Sequence, residues 1–203
     1  YDTAIAGYLR SGLGEAEFPA ELTASWALLK TLRYGENPHQ RGALYSAPGL
    51  DGGLAHATQL HGIDMSYVNY VDADAAWSAA NSFERHAVSV VKHANPCGLA
   101  VSDGQPEAFR RAFAGDPVSA YGGIVGFNSP VSADTAEAMR GILLDVIVAP
   151  GYEDGAIEML KKRKRTRVLR VAPGPAHELL ARPVSGGMLM QTPGDLGENP
   201  ASW

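Results

Sequence analysis

The sequence has one cysteine and no long apolar run, and these two deficits narrow the class of protein. Cys97 has no second cysteine to pair with, which is typical of proteins from a reducing compartment. Every apolar run is shorter than the roughly 18 residues that indicate a transmembrane helix, and residues 1–9 lack the basic and apolar regions of a secretory signal. We therefore expect a soluble, cytoplasmic protein with no membrane partner.

Positive charge is scarce outside one segment. The 203 residues carry a net charge of −5, yet seven of the 17 basic residues lie within residues 161–170, where no acidic residue occurs. Two interpretations stay open. The segment is the end of a helix, where the helix dipole favours cations, or it is a nucleic-acid patch. The run contains no aromatic residue, which argues against a site for single strands, so we expect no nucleic-acid partner.

Apolar patterns predict alternating strands and helices. Strands are predicted at residues 22–32, 43–45, 88–91, 122–128, 145–148 and 168–171. Helices are predicted at residues 72–83, 106–114 and 132–140, and again after Tyr152. This alternation, in a chain that is 45% apolar, predicts a layered α/β fold in which much of the sheet is parallel.

The segment VSVVKHANPCG at residues 88–98 places two ionisable side chains at the end of a buried strand. Lys92 and His93 follow the apolar residues, and Asn95 and Pro96 are predicted to end the strand. Ligands bind at the carboxyl ends of strands in open α/β sheets, and a histidine exchanges a proton near neutral pH. A turn at residues 95–96 would let both side chains face one pocket. The pair is either catalytic or a cap on the sheet edge.

A second dense motif, LRYGENPHQ, occupies residues 32–40. Arg33 supplies a guanidinium fork that suits phosphate, and Tyr34 supplies a stacking face with a hydroxyl group. These are the components of a site for an anion joined to an aromatic ring. By itself, however, such a loop is also compatible with a purely structural role.

These two motifs, together with DPVSAYGG at residues 116–123 and DVIVAPGYE at residues 145–153, closely resemble a known family. It is the bifunctional phosphoribosylaminoimidazolecarboxamide (AICAR) formyltransferase and IMP cyclohydrolase family of purine biosynthesis. The resemblance covers residues 32–191 in order and concerns the transformylase part. The resemblance implies that Lys92 and His93 are the catalytic pair. It also implies four residues in contact with the substrate: Arg33, Tyr34, Gly122 and Asp145.

The same resemblance implies a fold and partners. Family members have an α/β/α, cytidine-deaminase-like lobe, act as homodimers, and use 10-formyltetrahydrofolate as co-substrate. Residues 1–17 would be a junction from a cyclohydrolase domain, residues 18–192 the first transformylase lobe, and residues 193–203 a truncated linker. We therefore expect the isolated chain to be inactive, and the alternative is a non-catalytic nucleotide-binding module. Ile63 and Val68 depart from the family, which usually has a Lys and an Asn there.

A deaminase-like fold raises zinc chemistry as a rival. Such zinc sites need a His or Cys ligand with a Glu two residues later, followed by Pro-Cys-x-x-Cys. Here Asn95 follows His93 at the second position, and Ala100 stands where the second cysteine would be. The sequence therefore predicts a site without metal.

Overall fold

The computed structural model describes residue 5, residues 18–174 and residues 179–194. The predicted junction at residues 1–17 and all but the first two residues of the predicted linker at residues 193–203 thus fall almost wholly outside the described residues. The strands in chain order are β1 Ala27–Leu32, β2 Gly42–Ser46, β3 Thr58–His61, β4 His86–Lys92, β5 Asn95–Ser102, β6 Gly123–Phe127, β7 Leu144–Ala149, β8 Arg167–Arg170, β9 Leu180–Val184 and β10 Gly187–Gln191. The helices are α1 Tyr67–Asn81, α2 Gln105–Ala114, α3 Ala133–Ala138 and α4 Asp154–Leu160, with a short 3-10 helix at Leu54–His56.

One six-stranded sheet, ordered β3-β8-β7-β6-β4-β5, forms the centre of the described chain. The β6–β7 and β7–β8 pairs are parallel, whereas β4 runs antiparallel to both of its neighbours and β3 runs antiparallel to β8. The predicted α/β class is confirmed. The expectation that much of the sheet is parallel holds for β6, β7 and β8, and the sheet as a whole is mixed, because a tight β4–β5 hairpin replaces the helical crossover that a parallel pair would require.

Helices cover both faces of the sheet. On one face Val91, Ile124 and Val146 pack with Ala73 and Ala76 of α1. The other face carries the larger cluster, in which the strand residues Val88, Val90, Val125, Phe127 and Ile147 pack with residues of α2, α3 and α4. The apolar residues of β4 therefore point alternately into two cores, as a strand buried on both faces does. The result is the predicted α/β/α layering.

Close contact between α1 and β6 holds the first of these helices against the sheet. A Cβ atom built on Gly126 would lie 2.3 Å from the carbonyl oxygen of Ala76, so only glycine fits at this point of β6. The N-terminus of α1 is closed by a capping box, in which Ser66 and Asn69 each bond the other's backbone N–H. Both features fix the position of α1 relative to the central strands.

Two hairpins, β1–β2 and β9–β10, form separate two-stranded sheets. The predicted strands at residues 22–32 and 43–45 correspond to β1 and β2, although β1 begins only at Ala27. Lys30 of β1 lies 3.9 Å from a carboxylate oxygen of Asp64, which links the first hairpin to the segment after β3. In the described part of the chain, none of the helices is both long and apolar enough to cross a membrane.

Candidate active site

The sheet brings most of the predicted site residues together at one end of its strands, which we call the site edge. Because β4 is antiparallel to β6, its carboxyl end lies beside the amino ends of β6, β7 and β8. Lys92 ends β4, Gly122 directly precedes β6, and Asp145 is the second residue of β7. The expected position at the carboxyl end of a strand is therefore correct for Lys92 and His93, whereas Gly122 and Asp145 lie at the amino ends of parallel strands. The antiparallel β4 explains the difference.

A two-residue turn between β4 and β5 carries the predicted catalytic histidine. His93 and Ala94 have φ angles of 55° and 59°, and they are the non-glycine residues with positive φ among those described. Two successive positive φ angles are the pattern of a type I′ hairpin turn. This backbone conformation costs roughly 1–2 kcal/mol for each residue that carries a Cβ atom. The turn frees His93 from strand alternation, as the sequence suggested.

The turn lies two residues earlier than predicted. Asn95 and Pro96 do not end a strand but begin β5, where they pair with Lys92 and Val91. Proline is tolerated there because β5 is the edge strand of the sheet and its missing N–H disrupts no central ladder. The Asn95 side-chain amide donates to the carbonyl oxygen of His93 over 2.8 Å and so supports the turn from the other side.

A buried carboxylate on α1 accepts hydrogen bonds from the backbone of the same turn. Asp72 of α1 is only 7% exposed, and its two oxygens accept the backbone N–H groups of His93 at 3.2 Å and Ala94 at 2.7 Å. Hydrogen bonds to an ionised acceptor are stronger than neutral ones, so they offset part of the cost of the turn. Sequence reasoning missed this residue, since Asp72 is only one position of a helical pattern there.

Lys92 reaches across the site edge towards β6. Its ammonium group donates to the carbonyl oxygen of Tyr121 over 2.8 Å, and the side chain is half-buried. The next residue, Gly122, has a φ of 71° and donates its N–H to the carbonyl oxygen of Leu143 over 2.9 Å. A lysine charge and a glycine backbone segment thus lie side by side, and a Cβ atom built on Gly122 would meet only the side chain of Leu143, at 4.0 Å.

Arg33 and Tyr34 form a second group near the other end of this edge. The Arg33 guanidinium lies 4.9 Å from the centre of the Tyr34 ring and donates to its hydroxyl group over 3.2 Å. Gly35 closes the loop by donating its N–H to the carbonyl oxygen of Gln40 over 2.8 Å. Arg33 is exposed, which leaves most of its donors available to an anion.

Arg167 is a further functional candidate that sequence reasoning missed. It is 7% exposed, and its Nε and Nη2 atoms donate to the carbonyl oxygen of Asp64 over 3.1 and 3.0 Å. Burial lowers the pKa of Arg167 most; the charge of Asp145 opposes this shift, and that of Arg33 adds to it. Arg167 thus binds the backbone of Asp64 directly, and it experiences the charges of Asp145 and Arg33.

The structure does not bring the two predicted groups into direct contact. No hydrogen bond or ion pair among the described residues joins Arg33 or Tyr34 to Lys92 or His93. Lys92 and His93 follow β4 of the six-stranded sheet, whereas Arg33 and Tyr34 follow β1 of a separate two-stranded sheet.

Nearby residues that the sequence singled out have structural contacts. Burial and, to a smaller degree, Asp116 raise the pKa of the Cys97 thiol, so this side chain is a packing residue rather than a thiolate nucleophile. Tyr67 and Ile63 are exposed beside the start of α1, whereas Asn69 is used in its capping box. Within residues 18–174 and 179–194, no cluster of three or more His, Cys, Asp or Glu side chains is placed to hold a metal ion.

The basic run begins where α4 ends, at Leu160, as the helix-end interpretation requires. Arg163 turns inward and donates to the carbonyl oxygens of Met139 and Ile142, the latter over 2.7 Å. Lys161 lies 3.5 Å from Glu158 in an ion pair within the same helix end. With Arg167 also bound to backbone, much of this positive charge has a role inside the protein.

Comparison with known proteins shows the family of the chain. A family model described as the AICARFT/IMPCHase bienzyme matches residues 1–203. A protein of Mycobacterium ulcerans strain Agy99, named bifunctional purine biosynthesis protein PurH, is 46% identical over 211 aligned positions, which cover 100% of this chain and 40% of the relative. The protein of the same name from Mycobacterium leprae strain Br4923 is 48% identical over 214 positions, with the same coverage.

The chain thus spans about 40% of the length of these relatives. The match extends over the whole chain, including the segments that carry Lys92, His93, Gly122 and Asp145. The resemblance inferred from the motifs is confirmed, and the chain belongs to the AICARFT/IMPCHase bienzyme family.

Proposed function

We propose that this chain binds AICAR and supplies the catalytic pair for its formylation by 10-formyltetrahydrofolate. The observation that carries the proposal is the β4–β5 turn, which places His93 next to Lys92, whose ammonium group bonds the backbone directly before Gly122. The names of the relatives place them in purine biosynthesis. The second half of such a reaction, binding of the folate, would involve residues outside this chain.

The reaction joins the 5-amino nitrogen of AICAR to the formyl carbon of the folate. That amine is a weak nucleophile because its lone pair is delocalised into the imidazole and carboxamide groups. His93 accepts the proton that the amine loses as the new C–N bond forms, a contribution of about 10²- to 10⁴-fold. The C–N10 bond of the folate then breaks, and its nitrogen leaves with a proton as tetrahydrofolate.

Lys92 stabilises the oxyanion that develops on the formyl oxygen in this step. Its ammonium group already donates to a carbonyl oxygen, that of Tyr121, at 2.8 Å, so it is held in place before any substrate arrives. A preorganised donor of this kind contributes roughly 3 kcal/mol to the stability of the transition state. No step in this scheme requires a metal ion.

The remaining site residues hold the substrate. Arg33 binds the 5′-phosphate or the ribose side of AICAR, and Tyr34 lies against its base. Asp145 accepts hydrogen bonds from the ribose or the carboxamide, and Gly122 allows the base to approach the backbone. The exposed position of Asp145 on β7 supports this arrangement.

We infer three properties of the complete gene product from the same family membership. It is a cytosolic homodimer with sites at the subunit interface, and it also has IMP cyclohydrolase activity. The single cysteine is compatible with the cytosol. Gel filtration with light scattering and a cyclohydrolase assay of the gene product test these properties directly.

AICAR binding tests the proposal first. Calorimetric titration of the chain with AICAR should show saturable binding, and Arg33→Ala should weaken it at least 10-fold. Arg110→Ala is the matched control, because Arg110 is an exposed arginine of α2 that bonds Glu107 away from the site edge. Binding of a short oligonucleotide without binding of AICAR would instead support a nucleic-acid function and overturn the proposal.

Turnover tests the chemistry. The full-length gene product should convert AICAR and 10-formyltetrahydrofolate into the formylated nucleotide and tetrahydrofolate, followed by absorbance. A gene product that binds AICAR but never transfers the formyl group would favour the non-catalytic nucleotide-binding module over the formyltransferase.

A further inference from the structure

Asp72 is a buried carboxylate whose hydrogen bonds go to the turn that carries His93, although it does not belong to the proposed catalytic pair. Its carboxylate accepts two successive backbone N–H groups, those of His93 and Ala94, over 3.2 and 2.7 Å. In the described part of the chain no ion pair involves Asp72. Both hydrogen bonds that its side chain accepts come from the turn.

The turn needs such support because its residues disfavour it. Type I′ turns are normally built from Asn-Gly, Asp-Gly or Gly-Gly, which tolerate positive φ. Here His93 and Ala94 hold φ angles of 55° and 59° without any glycine. Non-glycine residues persist in this region when the surrounding structure forces them into it, and such sites cluster where function depends on the geometry.

Asp72 can impose this geometry because α1 is itself fixed. The Ser66–Asn69 capping box closes the start of the helix, and Gly126 allows the carbonyl of Ala76 to approach β6 too closely for any Cβ atom. The carboxylate is therefore a fixed point relative to β4 and β6. It holds the backbone of His93 in the positive-φ conformation of the turn, outside the strand alternation of β4.

We propose that Asp72 is a positioning residue for formyl transfer, which holds His93 beside Lys92 through the backbone of the turn. The expected effect on turnover rests on the proposed function, whereas the support of the turn by Asp72 does not. Asp72 touches neither substrate nor the reacting atoms in this role. Its effect is therefore expected in turnover and not in AICAR affinity.

Kinetics of the full-length gene product test the catalytic consequence. Asp72→Asn keeps the shape but replaces one acceptor oxygen with an amide that cannot accept a backbone N–H. We expect kcat to fall by about 10- to 100-fold, because displacements near 1 Å in an active site have effects of this size. The dissociation constant of AICAR should stay within about threefold. An unchanged kcat, or AICAR binding lost to the same degree as kcat, would overturn the inference.

Glu153→Gln is the matched control. Its carboxylate accepts the backbone N–H of Ala133 over 2.9 Å, at the carboxyl end of β7 and so at the opposite edge of the sheet. The chemical change is the same, but no site residue is involved. We expect this variant to keep the kcat of the natural protein.

Hydrogen exchange tests the structural content without any activity. The amides of His93 and Ala94 should exchange slowly despite their exposed turn, and at least 10-fold faster in Asp72→Asn. In Glu153→Gln the amide of Ala133 should respond instead. Rapid exchange at both turn amides in the natural protein would refute the inference even if Asp72→Asn failed to fold. Protected amides in a protein without transfer activity would refute only the proposed function.

Discussion

The strained turn predicts that replacing Ala94 with glycine will stabilise this protein. Ala94 has a φ of 59°, which costs roughly 1–2 kcal/mol in a residue with a Cβ atom and nothing in glycine. Against this, glycine gains conformational freedom in the unfolded chain, worth about 0.4–1 kcal/mol. The Ala94 side chain is exposed, so its loss removes little buried area. The backbone N–H that donates to Asp72 is kept.

The balance favours Ala94→Gly by about 1 kcal/mol in the free energy of unfolding. For a chain of this size, such a change raises the melting temperature by about 2–4 °C. Urea unfolding followed by circular dichroism measures the free energy, and a thermal scan checks the direction. The slope of the urea transition should not change, since the substitution alters neither the folded nor the unfolded surface appreciably.

Ala57→Gly is the control for this prediction. Ala57 follows the 3-10 helix with a φ of −57°, which any residue adopts without strain. Glycine there should destabilise the protein by at least about 0.5–1 kcal/mol, because the unfolded chain gains entropy. The loss of the Ala57 methyl group, which packs against an apolar cluster, acts in the same direction. If Ala94→Gly also destabilises the protein, the turn is not strained, and the argument about its support by Asp72 loses its basis.

Three further outcomes follow from the proposed roles and the buried groups. In the full-length gene product, His93→Ala should lower kcat by about 10²-fold or more and leave the AICAR affinity nearly intact. If His93→Ala instead weakens AICAR binding and Arg33→Ala instead lowers kcat, the assignment of the two roles is refuted. Arg33→Ala should weaken AICAR binding by about 1.5–3 kcal/mol in calorimetry, through loss of a charge-assisted hydrogen bond. Tyr152 donates to the carbonyl oxygens of Ile147 and Leu169, and burial raises its pKa well above the ordinary value. The folded protein therefore keeps this proton at a pH where the unfolded chain has lost it, so the free energy of unfolding declines as the pH rises above about 10. Tyr152→Phe should reduce the slope of this decline, measured by urea unfolding, by up to about 1.4 kcal/mol per pH unit.

Much of the fold could be predicted because its central strands are unusually apolar. Buried strands such as β4 and β7 have continuous branched side chains, and their positions were correct within two residues. Strand β5 was missed because Pro96 and Gly98 normally end strands. Here the edge position accommodates Pro96, and a Cβ atom at Gly98 would lie 1.9 Å from the carbonyl oxygen of Ala112. Gly98 therefore does not break the strand; it is needed because α2 packs closely on β5.

The site was predictable only where its residues lie in compact motifs. Lys92 and His93 are neighbours in sequence, and so are Arg33 and Tyr34, so each pair could be recognised locally. Strand direction could not be, because the antiparallel course of β4 depends on a turn of two residues without glycine. The relation of Asp145 and Gly122 to Lys92 therefore became visible only in the assembled sheet.

Asp72 and Arg167 escaped prediction for a common physical reason. Each acts on backbone groups that are distant in sequence: Asp72 on residues 21 and 22 positions later, and Arg167 on a carbonyl 103 positions earlier. A bond to backbone leaves no signature in the partner, since any residue type offers the same N–H or carbonyl group. Side chains that bind substrate directly are constrained by chemical type and cluster in motifs. Those that hold the binding residues in place are also constrained by chemical type, but their backbone partners lie far away in sequence and carry no signature. Buried charged residues bonded to backbone are therefore where a structure adds most to what a sequence shows.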